Sequence, residues 1–84
     1  MSELDVLRKD IDVIDERIAD LLVSRFAVVK EIGEVKKRDG LPVTNAGREE
    51  EVVKNARALA LDAAEKDAVE RVFRAIIAAS KTLE

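Results

Sequence analysis

The chain has no cysteine, histidine, tryptophan or tyrosine, and only one proline, three glycines and two phenylalanines in 84 residues. Each shortage removes a class of solution. Without cysteine no disulfide can staple a small fold, and without histidine as well a zinc site has no nitrogen or sulfur ligands to draw on. The same gap removes the common nucleophile–base pairs of covalent catalysis. Two aromatics, Phe26 and Phe73, offer little on which nucleic-acid bases could stack. A net charge of −3 with both signs abundant is no nucleic-acid footprint. No apolar run approaches the length needed to cross a bilayer, and the acidic start Met1-Ser2-Glu3-Leu4-Asp5 carries no apolar signal region. The expectation is a soluble cytoplasmic protein with no metal, no cofactor, and neither nucleic acid nor membrane as a partner.

What is present is helical pattern. Steps of three and four from Leu4 land on Leu4, Leu7, Ile11, Ile14, Ile18, Leu21, Arg25, Val28, Ile32 and Val35, a helix seam that is aliphatic everywhere except at Arg25. The spacing predicts a first helix from about residue 3 to about residue 38, roughly 54 Å long. Ser2 is its N-cap with Asp5 at the third helical position. The cluster Lys36-Lys37-Arg38 suits its C-terminal dipole, and Gly40 stops it with Pro42 beyond. Gly33 is a weak point in that run. After the loop 39–45, Asn45 or Thr44 caps a second helix from about 46 to about 60, with Glu49, Val52, Val53, Ala56 and Ala60 on its inward face. Asp62 with Glu65 starts a third, which carries Val69, Val72, Phe73, Ile76, Ile77, Ser80 and Leu83 on one face and runs to the end. The fold class is all-α, a single domain over 1–84 with one very long N-terminal helix and two shorter ones. So small a domain buries a modest share of its surface, and what remains of the chain cannot cover the long seam, so a second copy is expected to do so.

Three helices each carry one polar residue on an apolar face: Arg25, Glu49 and Ser80. A buried guanidinium is costly unless an anion meets it. Lys36 lies eleven residues after Arg25, about 20° round an ideal helix and roughly 16 Å along it, so two cationic heads can close on a small anion. Arg8, roughly 25 Å from Arg25 along the same helix, cannot share that site within its own chain but can reach it from the partner in an antiparallel dimer. Simpler readings stand beside this one. A polar seam residue commonly sets register through an internal ion pair. Glu49 is well placed as a first-turn acid, and Ser80 as a hydroxyl bonded back to its own helix. Arg8, Lys36 and Arg48 pass as ordinary surface charges, and on pattern alone the anion site is the minority reading. Fixed cations and donors with no base suit a reaction run by positioning and charge stabilisation.

The residues in order resemble the all-helical class of chorismate mutase nearly end to end: Leu7-Arg8-Lys9-Asp10-Ile11-Asp12 with Ile14-Asp15, Leu21-Leu22-Val23-Ser24-Arg25, Ile32-Gly33-Glu34-Val35-Lys36, Pro42-Val43, Arg48-Glu49, and Phe73 through Ser80. The resemblance implies an intertwined helical-bundle homodimer with two equivalent sites, and rearrangement of chorismate to prephenate on the route to phenylalanine and tyrosine. It implies that Arg8, supplied in trans, and Arg25 clamp two substrate carboxylates, that Lys36 binds a carboxylate and the ether oxygen, and that Glu49 accepts the ring hydroxyl. Asn45 and Arg48 would frame the pocket and Ser80 would support a carboxylate. Two positions depart from the common pattern. Asn45 stands where aspartate is frequent, a change expected to be mild. Glu84 stands where a glutamine often donates to the ether oxygen, and a glutamate there must be protonated to donate. Some small members of the family act with the synthase that opens the aromatic pathway, so such a partner is compatible with the resemblance. Two other functions remain open: an isochorismate–pyruvate lyase on the same scaffold, and a non-catalytic helical dimerisation module.

Overall fold

The computed structural model describes residues 2–84 and contains three helices, α1 (Glu3–Asp39), α2 (Ala46–Arg57) and α3 (Ala63–Lys81). Local chemistry sets the ends of α1. Ser2 is extended, and its Oγ accepts from the Asp5 N–H at 3.1 Å. At the other end Gly40 adopts φ +68, a left-handed conformation that costs a glycine little. Leu41 N–H then bonds the Lys36 carbonyl at 2.8 Å and Gly40 N–H the Lys37 carbonyl at 3.4 Å, the paired bonds of a Schellman stop.

Both shorter helices end before the positions the sequence suggests. α2 stops at Arg57 rather than near residue 60, because Leu59 and Ala60 bond three residues back, to Ala56 and Arg57, at 3.1 Å each. α3 stops at Lys81 rather than running to the end. Thr82, Leu83 and Glu84 bond Ala79, Ser80 and Lys81 in the same tight pattern. Asp62 caps α3 as expected, accepting from the Glu65 N–H at 2.8 Å, while Glu65 Oε1 accepts from the Leu61 N–H at 3.1 Å.

α2 and α3 form an antiparallel pair, as their ion pairs show. Arg57 meets Asp67 and Glu70, Glu50 meets Arg74, and Glu49 meets Lys81. The C-terminal half of α1 lies against this hairpin, and Val29, Val53, Ala56 and Ile77 form a small core where the three helices meet. The residues that α1 turns inward, Leu22, Arg25, Phe26, Val29, Gly33 and Lys36, form a stripe beside the seam that meets it at Arg25. The seam stays open: Leu4 is 53 %, Ile11 54 % and Leu21 70 % exposed. The molecule is elongated, 56 × 26 × 15 Å. Among the described residues no helix is long and apolar enough to cross a membrane.

The hairpin is stitched on its outer side by Glu70, which accepts from Arg74 Nε and Arg57 Nη1 at 2.9 Å each. The hydrogen bond from Arg74, helped by the charges of Arg74 and Arg57, holds its carboxyl below the ordinary carboxylate value of 4.5. A lowered folded-state value means that the stabilisation is complete above the unfolded value and fades as pH falls through the folded one. Glu70→Gln is therefore expected to lower the melting temperature slightly at neutral pH and to flatten its decline in acid. Parallel melting-temperature curves for the two proteins below the ordinary carboxylate range would rule this out.

Candidate functional site

A cavity of about 350 Å³ opens where the three helices meet, within the size range of small-molecule pockets, about 300–1,000 Å³. α1 contributes Arg25, Val28, Val29, Ile32 and Lys36 to its wall. The loop and α2 contribute Val43, Asn45, Arg48, Glu49 and Val52, and α3 with the turn after it contributes Ile77, Ser80, Lys81 and Glu84. The walls thus combine six aliphatic residues with four cationic side chains against two carboxylates. Such a concave apolar site with a cationic surplus favours a small, compact anion of more than one negative charge.

Arg25 is half-buried and donates from Nη1 to Ser80 Oγ at 2.6 Å. Ser80, itself buried, donates onward to the Ile76 carbonyl at 2.7 Å. The hydroxyl thus does bond back to its own helix, and that bond aims its lone pairs at the guanidinium. Among the described residues no carboxylate lies within ion-pair distance of Arg25. Among the described residues, then, Arg25 makes no internal ion pair of the kind the register reading expects, and the guanidinium lines the cavity.

Lys36 is held on two sides. Its Nζ donates to the Val43 carbonyl at 2.6 Å and lies 2.7 Å from Glu84 Oε1. Glu84 Oε1 is buried and accepts no hydrogen bond of good geometry, so the contact with Lys36 is ionic rather than a directed bond. Glu49 pairs with Lys81 at 2.7 Å. Asn45 uses its side-chain oxygen to accept the Arg48 N–H at 3.0 Å as the cap of α2, and the Arg48 side chain lies outward on Glu51 at 2.6 Å. Seven of the eight residues singled out from sequence thus line one cavity. Arg8 does not. It is exposed far along α1, away from the cavity of its own chain.

Two residues at the site carry no sequence signal that singles them out. Lys81 reads as a cation at a helix C-terminus, although it lies four residues after Ile77 and so shares its face. Gly33 reads as a helix weakness, yet it is buried against Glu84.

Residues 7–84 match the family described as chorismate mutase type II. Among curated proteins, the chain is 39 % identical over its full length to the T-protein of Enterobacter agglomerans, covering 23 % of that protein. It is 38 % identical, again over its full length, to the bifunctional chorismate mutase/prephenate dehydratase of Aquifex aeolicus, covering 24 % of it. It is 27 % identical to the chorismate mutase of Methanocaldococcus jannaschii, covering 86 % of that protein. The chain thus spans about a quarter of the first two relatives and most of the third. No solved structure gives a significant match.

Proposed function

Since this chain belongs to the type II chorismate mutase family, we propose that it rearranges chorismate to prephenate in a cytoplasmic homodimer. The observation that carries this reading is Arg25, a guanidinium oriented by Ser80, without a carboxylate partner among the described residues, and set in a partly aliphatic cavity with a surplus of positive charge. Chorismate is a compact dianion. Its rearrangement is pericyclic: the ether C–O bond breaks while a C–C bond forms within the same molecule, and no atom enters or leaves. A site without histidine or cysteine loses nothing by lacking a base for such a step. It needs the reacting ends held together and the charge growing on the ether oxygen stabilised.

Placement in the cavity supports the following roles. Arg25 with Ser80 behind it holds one carboxylate. Lys36, steadied by the Val43 carbonyl, faces the ether oxygen and the second carboxylate. Glu49, restrained by Lys81, accepts the ring hydroxyl. Asn45 and Arg48 close the mouth, and Arg48 can trade its exposed partner Glu51 for substrate at little cost, because surface ion pairs contribute little. The open seam of α1 supports the dimer, since apolar surface of this extent marks a protein interface, and the distance along α1 supports a role for Arg8 in the site of the other subunit.

Incubating the protein separately with chorismate and isochorismate and identifying the products tests this. Prephenate from chorismate is expected. Pyruvate from isochorismate with no prephenate would move the same cations to the lyase reaction, and no product from either would leave a dimerisation module. Glu84 adds a finer expectation. Ionised, it neutralises Lys36 and cannot donate; protonated, it frees Lys36 and offers a hydrogen bond to the ether oxygen. Turnover is therefore expected to rise toward acidic pH, and Glu84→Gln to remove most of that dependence. Coincident pH–rate profiles would sink the assignment.

A further inference from the structure

α1 comes into close contact with the last residue at Gly33. A Cβ built there would lie 2.8 Å from Glu84 Cα, and 3.3 Å from both Glu84 Cβ and the Glu84 carbonyl oxygen. The first distance is shorter than real Cβ contacts allow, and the atom met is backbone, which cannot rotate away as a side-chain tip would. Gly33 is buried and lies one turn before Lys36, so the residue whose backbone fills the notch places its carboxyl on the Lys36 ammonium. Helix propensity argues against glycine here, because it costs a helix interior stability relative to alanine. The tight last turn after α3 supplies the other half of the fit by carrying Glu84 back onto α1.

We infer that Gly33 is a positioning residue: the gap left by its missing side chain seats Glu84 so that its carboxyl reaches Lys36 and the reacting end of the cavity. Gly33 touches no substrate and acts through Glu84 alone. The inference rests on the chorismate mutase reading for its catalytic consequence and on geometry for the seat.

Gly33→Ala separates the two. The alanine favours the helix, so helical content, oligomeric state and melting temperature should be retained. The added methyl pushes Glu84 out of the notch. With a ¹³C label in the glutamate carboxyls, the Glu84 signal at neutral pH should respond to Lys36→Met in the parent chain and lose that response in the Gly33→Ala background. For turnover of chorismate at acidic pH, where a protonated Glu84 can donate, kcat should fall roughly 10- to 100-fold, toward the scale of losing one oriented donor. KM should move by less than about threefold, because the cations that bind the ground state stay in place. In a chain ending at Leu83, where the notch has nothing to seat, Gly33→Ala should change kcat by less than about twofold. The inference is overturned if Gly33→Ala keeps the Glu84–Lys36 response, if it keeps the parent kcat, or if it costs the same factor with and without Glu84. Failure of the parent chain to turn over chorismate would count against the assigned reaction, and the carboxyl signal would still decide whether Gly33 seats Glu84.

Discussion

Arg25→Leu is expected to give a folded, self-associated protein whose turnover of chorismate has fallen by about 10²-fold or more. The expectation joins two properties of one residue. Arg25 interrupts an aliphatic seam at a position where leucine matches its neighbours Leu21 and Val28. It also has no carboxylate partner among the described residues, and its one side-chain bond is to Ser80. Removing half of a buried ion pair strands the other charge and is strongly destabilising. Here no counter-charge is stranded, and Ser80 keeps its bond to the Ile76 carbonyl. The apolar replacement also relieves the desolvation of a half-buried guanidinium, so the melting temperature should hold or rise. A charge that the fold does better without, yet that faces the cavity, is explained by what it binds. Kinetics and calorimetry on one variant therefore decide between clamp and register device. Lost turnover at undiminished stability supports the clamp, whereas undiminished turnover removes Arg25 from the site and the proposed mechanism with it.

How much of this was legible in advance depends on how local each cause is. The ends of α1 were readable because their causes lie within a few residues: the hydroxyl of Ser2 on the Asp5 N–H, and the left-handed Gly40. The ends of α2 and α3 were not. Ala58, Leu59 and Ala60 are sound helix formers, and the chain leaves the helix there to return antiparallel, a tertiary requirement that overrides propensity. Thr82 and Leu83 likewise carry no stop signal. The seam along α1 was visible in the sequence, but the stripe that meets the chain's own hairpin, through Phe26, Val29 and Gly33, lies beside it and overlaps it around Arg25. Arg25, Glu49 and Ser80 stood out because each breaks an apolar pattern. Lys81 broke none, and the reason for Gly33 is the backbone of Glu84, far away in the sequence. Charges on a periodic face can be read along one helix, while notches and pairings between helices require the packing.

Two variants, each expected to be nearly inactive, should together regain turnover. Arg8 is exposed, is absent from the cavity wall of its own chain, and stands seventeen residues before Arg25, roughly 25 Å along α1. If two chains pair antiparallel along the open seam, that offset brings Arg8 of the partner subunit to Arg25, and each site takes one arginine from each chain. A two-fold pairing makes both contacts equivalent. Arg8→Ala then damages both sites of its homodimer, as Arg25→Leu does. In a mixed dimer the defects segregate: one site carries both, and the other keeps Arg25 from the first chain and Arg8 from the second. Random reassembly of equal amounts gives about half mixed dimers, so about a quarter of all sites are intact and turnover should recover to about a quarter of the parent value. Recovery should follow the kinetics of subunit exchange and fall away when Ile11→Glu and Ile14→Glu are added to break the seam. A mixture that stays as inactive as its components, under conditions where exchange is shown by mass, would place Arg8 outside the site. A parent chain that sediments as a monomer while retaining full turnover would refute the shared site, because the cavity of one chain would then suffice without Arg8 of a partner subunit.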